Sequence, residues 1–262
     1  MGRPANASEA GPEGRCIPMI QLSHVSKTYN GRVKAVDDIS LDIRPGEIFG
    51  FLGPNGAGKT TTLRMITGIL DADEGTITVA GHDIRKEPLA AKRSFGFVPD
   101  DPNVFLRLKG LEYLAFLGDI HGVPTDLRRE RIASMAARFA MTEALGDRIQ
   151  SYSHGMRQKI VLMGALLHDP AVWILDEPLT GLDPRSAFSL KARMREHADA
   201  GRTVFFSTHV LDVAEKVCDR VAIIDRGRIL FCGSIAEMRD HFASQSSLES
   251  MFLELTAESE SE

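Results

Sequence analysis

Hydrophobic and polar positions alternate through Ile39, Leu41 and Ile43, and a period of two predicts a half-buried strand. Upstream, Ile20, Leu22 and Val25 open a β-rich segment. Asn30-Gly31 stands between Lys27-Thr28-Tyr29 and Arg32-Val33-Lys34, which reads as a hairpin turn needing positive φ and leaving Tyr29 at its edge. After a turn at Pro45-Gly46, residues 48–52 form a short, wholly apolar run suited to a central strand. A glycine-rich loop follows, then a helix over 60–69 and a strand over 76–80 closed by Gly81. Residues 101–150 carry no strong strand pattern and much Leu, Ala, Arg and Glu, predicting a helical insertion. Beyond it come a strand at 172–175, a helix over 184–200 with Pro184 in its first turn, a strand at 203–207, and two more at 221–224 and 228–231 around Asp225-Arg226-Gly227. Strands separated by helices imply a mainly parallel α/β sheet, the early hairpin adds an antiparallel β subdomain, and no internal repeat is present.

Composition narrows the function. The 262 residues are 43% hydrophobic and 26% charged, which excludes disorder and disulfide scaffolds. Of 36 acids against 31 bases, five (Glu249, Glu254, Glu258, Glu260, Glu262) fall in the last fourteen residues, so the body is balanced. A balanced body lacks the single-sign field that binding to nucleic acid or an anionic membrane needs, and no nucleic-acid partner is expected. The longest apolar run, 160–167, stops at His168, Asp169 and Pro170, far short of the roughly 20 residues of a membrane span. Residues 1–18 read as a disordered extension, with Met19 offering an alternative start; 19–243 as the main domain, its helical part about 101–170; and 244–262 as a C-terminal helix and acidic tail. Cys16, Cys218 and Cys232 are spaced for neither a disulfide framework nor a zinc site and are expected to be small buried hydrophobes in a reducing compartment.

Four segments carry chemistry. Gly53-Pro54-Asn55-Gly56-Ala57-Gly58-Lys59-Thr60 fits GxxxxGK[ST] between an apolar strand and a helix. Its glycines let backbone N–H groups turn towards phosphates, Lys59 supplies a point charge at the β/γ oxygens, and the Thr60 hydroxyl can ligate magnesium. Ile174-Leu175-Asp176-Glu177 ends a strand in two carboxylates. Asp176 suits magnesium, and Glu177 suits the proton of an attacking water. Tyr29 offers a ring for a base to stack on. His209, after Phe205-Phe206-Ser207-Thr208, offers a γ-phosphate contact.

These segments occur in the order and spacing of the ATP-binding cassette ATPases, the nucleotide-binding subunits of ABC transporters, and the chain resembles that family over about residues 19–256. The resemblance implies ATP and Mg2+ as ligands. It makes Gly53, Asn55, Gly56, Ala57, Gly58, Lys59, Thr60 and Thr61 the Walker A loop, Ile174 to Glu177 the Walker B strand with its catalytic glutamate, Leu182-Asp183 the D-loop, His209 the switch histidine and Tyr29 the adenine-stacking aromatic. Tyr152-Ser153-His154-Gly155-Met156-Arg157-Gln158 looks like the signature sequence, a second phosphate cradle through Ser153, Gly155 and Met156. In the family the signature of one subunit faces the Walker A loop of the other, so the resemblance implies a head-to-tail dimer around two MgATP.

Two positions depart from the family pattern. Asp100 stands where the Q-loop glutamine is expected, shorter by a methylene and unable to donate; it is expected still to serve magnesium. His154 replaces a signature glycine, which predicts an altered pH profile of ATPase activity, reverted in His154→Gly, rather than loss of activity. The single cassette and the ending at 248–256 resemble exporter-type members. Such a subunit would work in the cytoplasm, at the membrane's inner face, bound to integral membrane subunits through its helical insertion and the 100–108 loop. A soluble ABC ATPase acting on nucleic acid or ribosomes, or a non-hydrolysing clamp, is the alternative. The absence of sustained heptads in 101–150 opposes the first, and intact Lys59, Asp176 and Glu177 the second.

Overall fold

The computed structural model describes residues 17–241. In chain order these form β1 (Ile20–Tyr29), β2 (Val33–Ile43), β3 (Ile48–Leu52), α1 (Lys59–Ile66), β4 (Glu74–Val79), β5 (His82–Asp83), α2 (Pro88–Ser94), β6 (Phe95–Val98), α3 (Gly110–Ile120), α4 (Thr125–Arg138), α5 (His154–Leu166), β7 (Val172–Asp176), α6 (Pro184–Asp199), β8 (Thr203–Thr208), α7 (Leu211–Val217), β9 (Arg220–Asp225), β10 (Arg228–Ser234) and α8 (Ile235–His241). A four-stranded antiparallel sheet runs β2-β1-β4-β5. A six-stranded sheet runs β10-β9-β3-β8-β7-β6. It is parallel from β9 to β6, with β10 antiparallel at the edge.

The run 48–52 lies at the centre of the larger sheet, between β9 and β8, and all five of its residues are buried. Its apolar continuity reflects two covered faces. Phe49 and Phe51 join Ile174 and Phe205 in a core shared with α1 and the antiparallel sheet. Ile48 joins Trp173, Leu175, Val204 and Phe206 in a second core, closed by α3 to α6. Neighbouring residues thus point into different cores, as parallel strands covered on both sides require. The insertion contributes Tyr113, Leu114, Ile132, Phe139 and Ile149 to that second core, so it is packed onto the sheet rather than appended to it.

The hairpin turn takes the expected form, with Asn30 at φ 52 and Gly31 at φ 63 and the Arg32 N–H donating to the Tyr29 carbonyl at 3.1 Å. The helix expected over 60–69 starts one residue early and stops at Ile66, because Gly68 turns to φ 64 and the Ile69 N–H bonds back to Arg64 O at 2.9 Å. The strand expected at 76–80 begins earlier, at Glu74, and ends at Val79. The cysteine reading needs one correction. Cys218 packs beneath Gly50, but Cys232 is exposed, because β10 is an edge strand with one side towards solvent. Residues 1–16 of the 1–18 extension, Cys16 among them, and the 244–262 tail lie outside the described residues.

Candidate functional site

Between β3 and α1 the chain must turn sharply while packed on both sides. Gly58, at φ 111, caps α1 without a side-chain bond, leaving the N–H groups of the first turn open to a ligand. A Cβ on Gly58 would sit 2.4 Å from Ala35 O, and one on Gly53 2.3 Å from Ile224 O. Both positions therefore need hydrogen where other residues carry carbon. Lys59 is almost wholly buried, and its Nζ donates to Gly53 O at 2.7 Å and Pro54 O at 3.1 Å. The ammonium is thereby held under the loop, 3.8 Å from Glu177 Oε1. Burial lowers its pKa, and the charges of Glu177 and Asp176 oppose that shift. Asn55, Gly56, Gly58, Lys59, Thr60 and Thr61 line a cleft of about 210 Å3, with Ala35, Asp100 and Glu177 on its other walls. Gly53 and the buried Ala57 shape the loop from behind rather than line the cleft.

Asp176 is 1% exposed at the end of β7. Burial raises its pKa, hydrogen bonds from Ser207 and Thr60 pull it down, and the neighbouring charges of Asp100 and Glu177 push it up again. Glu177 follows at φ 47, a left-handed conformation that is uncommon outside glycine. Its Oε1 lies 2.9 Å from His209 Nδ1. Thr60, Asp176 and Asp100 supply only oxygen donors, and the repulsion between the Asp176 and Asp100 carboxylates favours a cation, so the residues present fit magnesium. Among the described residues no three His, Cys, Asp or Glu side chains could hold a metal by themselves.

The segment expected to form a second cradle, 152–158, lies elsewhere. Ser153 caps α5, its Oγ accepting the Met156 N–H at 3.3 Å, and Gly155 passes so close to Gly181 that a Cβ would sit 2.9 Å from the Gly181 carbonyl. The His154 ring packs over Gly181, since a Cβ there would lie 2.4 Å from His154 Cδ2. Lys159 Nζ is 2.9 Å from Asp183 Oδ2. Asp183 also caps α6 through the Ser186 N–H at 2.9 Å and hydroxyl at 2.6 Å, and these partners hold its carboxyl far below the usual range. The start of α5 and the segment 181–183 thus pack as one unit. Ser153, Gly155 and Met156 do not line the cleft around Lys59, and neither does Tyr29, at the hairpin end and 37% exposed.

Sequence reasoning assigned no role to Ser207, which is fully buried and bonded to both Asp176 and Glu177. It faces Asp176 across the β7–β8 register, a neighbourhood set by strand order. It also missed the Lys159–Asp183 tie, whose partners are far apart in sequence.

A phosphate-binding loop between a central strand and a helix, with carboxylates at an adjacent strand end, defines a nucleoside-triphosphate-binding α/β protein. The family model described as ABC transporter matches residues 36–180, and this chain belongs to that family as an ATP-binding subunit and an ATPase. It is 36% identical over 220 residues to the linearmycin resistance ATP-binding protein LnrL of Bacillus subtilis (strain 168), covering 84% of this chain and 70% of that protein. It is 38% identical over 225 residues to the daunorubicin/doxorubicin resistance ATP-binding protein DrrA of Streptomyces peucetius, covering 86% and 68%. Against the solved structure of an ATP binding subunit of an ABC transporter the TM-score is 0.87 at 29% identity, over 91% of this chain and 99% of that one.

Proposed function

We propose that two such ATPase subunits dimerise head to tail around two MgATP and drive export through separate integral membrane subunits. One observation carries the dimer: the two phosphate cradles of a single chain do not share a cleft. A second subunit, related head to tail, would bring the Ser153 cradle over the Lys59 loop.

In each site the open N–H groups of α1 and Lys59 hold the β- and γ-phosphates, and Tyr29 stacks on the adenine. Thr60, Asp176 and Asp100 would hold magnesium, which when bound would neutralise phosphate charge. Glu177 takes a proton from the water that attacks the γ-phosphorus as the bond to ADP breaks, and His209 orients Glu177 through the 2.9 Å contact. Hydrolysis removes charge from the bridge between subunits and lets the dimer open.

Among the described residues no helix is long and apolar enough to cross a membrane. The face offered to the membrane subunits is an apolar hollow of about 620 Å3 lined by Phe105, Leu106, Arg107, Leu108 and Phe116, in which the Phe105 ring rests on Tyr113 and Phe116. Contact with membrane subunits places the protein at the cytoplasmic face. Export is supported by the resistance names of the relatives above and by a 35% identical Nod factor export ATP-binding protein of Cupriavidus metallidurans. The ending at 248–256 lies outside the described residues. Size-exclusion with light scattering tests the dimer: Glu177→Gln is expected to form a stable dimer with MgATP, and a variant that binds nucleotide yet stays monomeric refutes the proposal.

A further inference from the structure

We propose that Ser207 is a positioning residue for ATP hydrolysis, its hydroxyl tying the metal-binding carboxylate of Asp176 to the backbone of the catalytic Glu177. The inference rests on the roles of Asp176 and Glu177 proposed above.

Ser207 is 0% exposed and sits opposite Asp176 in the parallel β7–β8 register. Its Oγ donates to Asp176 Oδ1 at 2.5 Å, a charge-assisted bond at the short end of the range. The same oxygen accepts the backbone N–H of Glu177 at 3.0 Å. A hydroxyl has one proton and two lone pairs, so this arrangement fixes its polarity: the proton goes to Asp176 and a lone pair to Glu177. No apolar residue does either. Two residues on, His209 Nδ1 holds the Glu177 side chain at 2.9 Å. The end of β8 therefore grips Glu177 at both its backbone and its carboxylate.

The grip matters because Glu177 adopts φ 47, which an L-residue keeps only when its surroundings hold it there. Where the main chain turns at Glu177 decides whether its carboxylate reaches the cleft or swings away. Asp176 has the complementary problem, a buried carboxylate repelled by Asp100 and Glu177 and fixed laterally by the Ser207 proton. Displacing either carboxylate by even an ångström would slow the reaction while leaving the phosphate loop, and hence ATP affinity, intact.

The test uses the full chain. Ser207→Ala is expected to lower kcat about ten- to hundredfold with the KM for ATP within about twofold, together with a fall of several degrees in melting temperature as the buried Asp176 loses its partner. Electron paramagnetic resonance of Mn2+, titrated with a non-hydrolysable ATP analogue present, is expected to show metal binding weakened several-fold. Ser207→Thr, which keeps the hydroxyl, is expected to restore both. If Ser207→Ala does not fold, Ser207→Cys, nearly isosteric and a poor donor, carries the same readouts. Normal kcat and Mn2+ binding in a folded Ala or Cys variant overturns the inference, as does a change in stability alone. Glu177→Gln separates the two levels: if it is inactive while Ser207→Ala is normal, only the role of Ser207 fails, whereas an active Glu177→Gln removes the site reading itself.

Discussion

Replacing Gly58 with alanine should unfold the protein more readily than the same change at Gly56, although both lie in the phosphate loop at positive φ. Gly56 has φ 85 and open space where a Cβ would go. Gly58 has φ 111, and its Cβ would meet Ala35 O at 2.4 Å and Ile224 Cδ1 at 3.3 Å. The backbone cost of about 1–2 kcal/mol for a left-handed L-residue applies to both. Only Gly58 adds an overpacking cost, about 1–3 kcal/mol, because the obstructing oxygen belongs to β2 and cannot rotate away. Relaxing that clash would move Gly58 O, which accepts both the backbone N–H and the hydroxyl of Thr62 at 2.9 Å, and so would shift the first turn of α1. Gly58→Ala is thus expected to lose roughly 2–5 kcal/mol and Gly56→Ala roughly 1–2. Urea unfolding without nucleotide measures both, which keeps any clash of the new methyl with phosphate out of the comparison. Equal losses, or a smaller one at Gly58, would refute the packing argument.

Asp100→Ala should raise the Mg2+ concentration for half-maximal hydrolysis about tenfold; unchanged magnesium dependence and rate would remove Asp100 from the metal site. A separate pH effect follows from two buried imidazoles. Burial first, then the charges of Arg202 and Arg193, push His197 down to about 3, and burial with His121 pushes His168 down to about 4. Both stay neutral in the fold at pH 5 but take protons once unfolded, so stability holds above pH 7 and falls as pH drops from about 6.5 towards 4. His197→Phe, which keeps a ring against Trp173, 4.0 Å from the present imidazole, should make that decline shallower by up to about one proton in the pH dependence of urea unfolding. An unchanged slope would count against it.

Local chemistry was legible in the sequence because short-range physics imposes it. The turn at Asn30-Gly31 needs two positive φ values and has them, the apolar run 48–52 needs cover on two faces and lies mid-sheet, and the loop around Lys59 needs glycine at Gly58 for lack of room. Adjacency between distant segments was not legible, since hydrophobic period reports burial but not which strand lies alongside. The order β3-β8-β7 alone puts Ser207 beside Asp176 and His209 beside Glu177, and the packing of α5 against the start of α6 alone joins Lys159 to Asp183. Cys232 shows the converse: its composition suggested burial, and an edge strand exposed it. The chain's own residues set which groups meet phosphate, while the crossovers of the parallel sheet decided which groups meet each other, because register and strand order are properties of the whole core and not of any one segment.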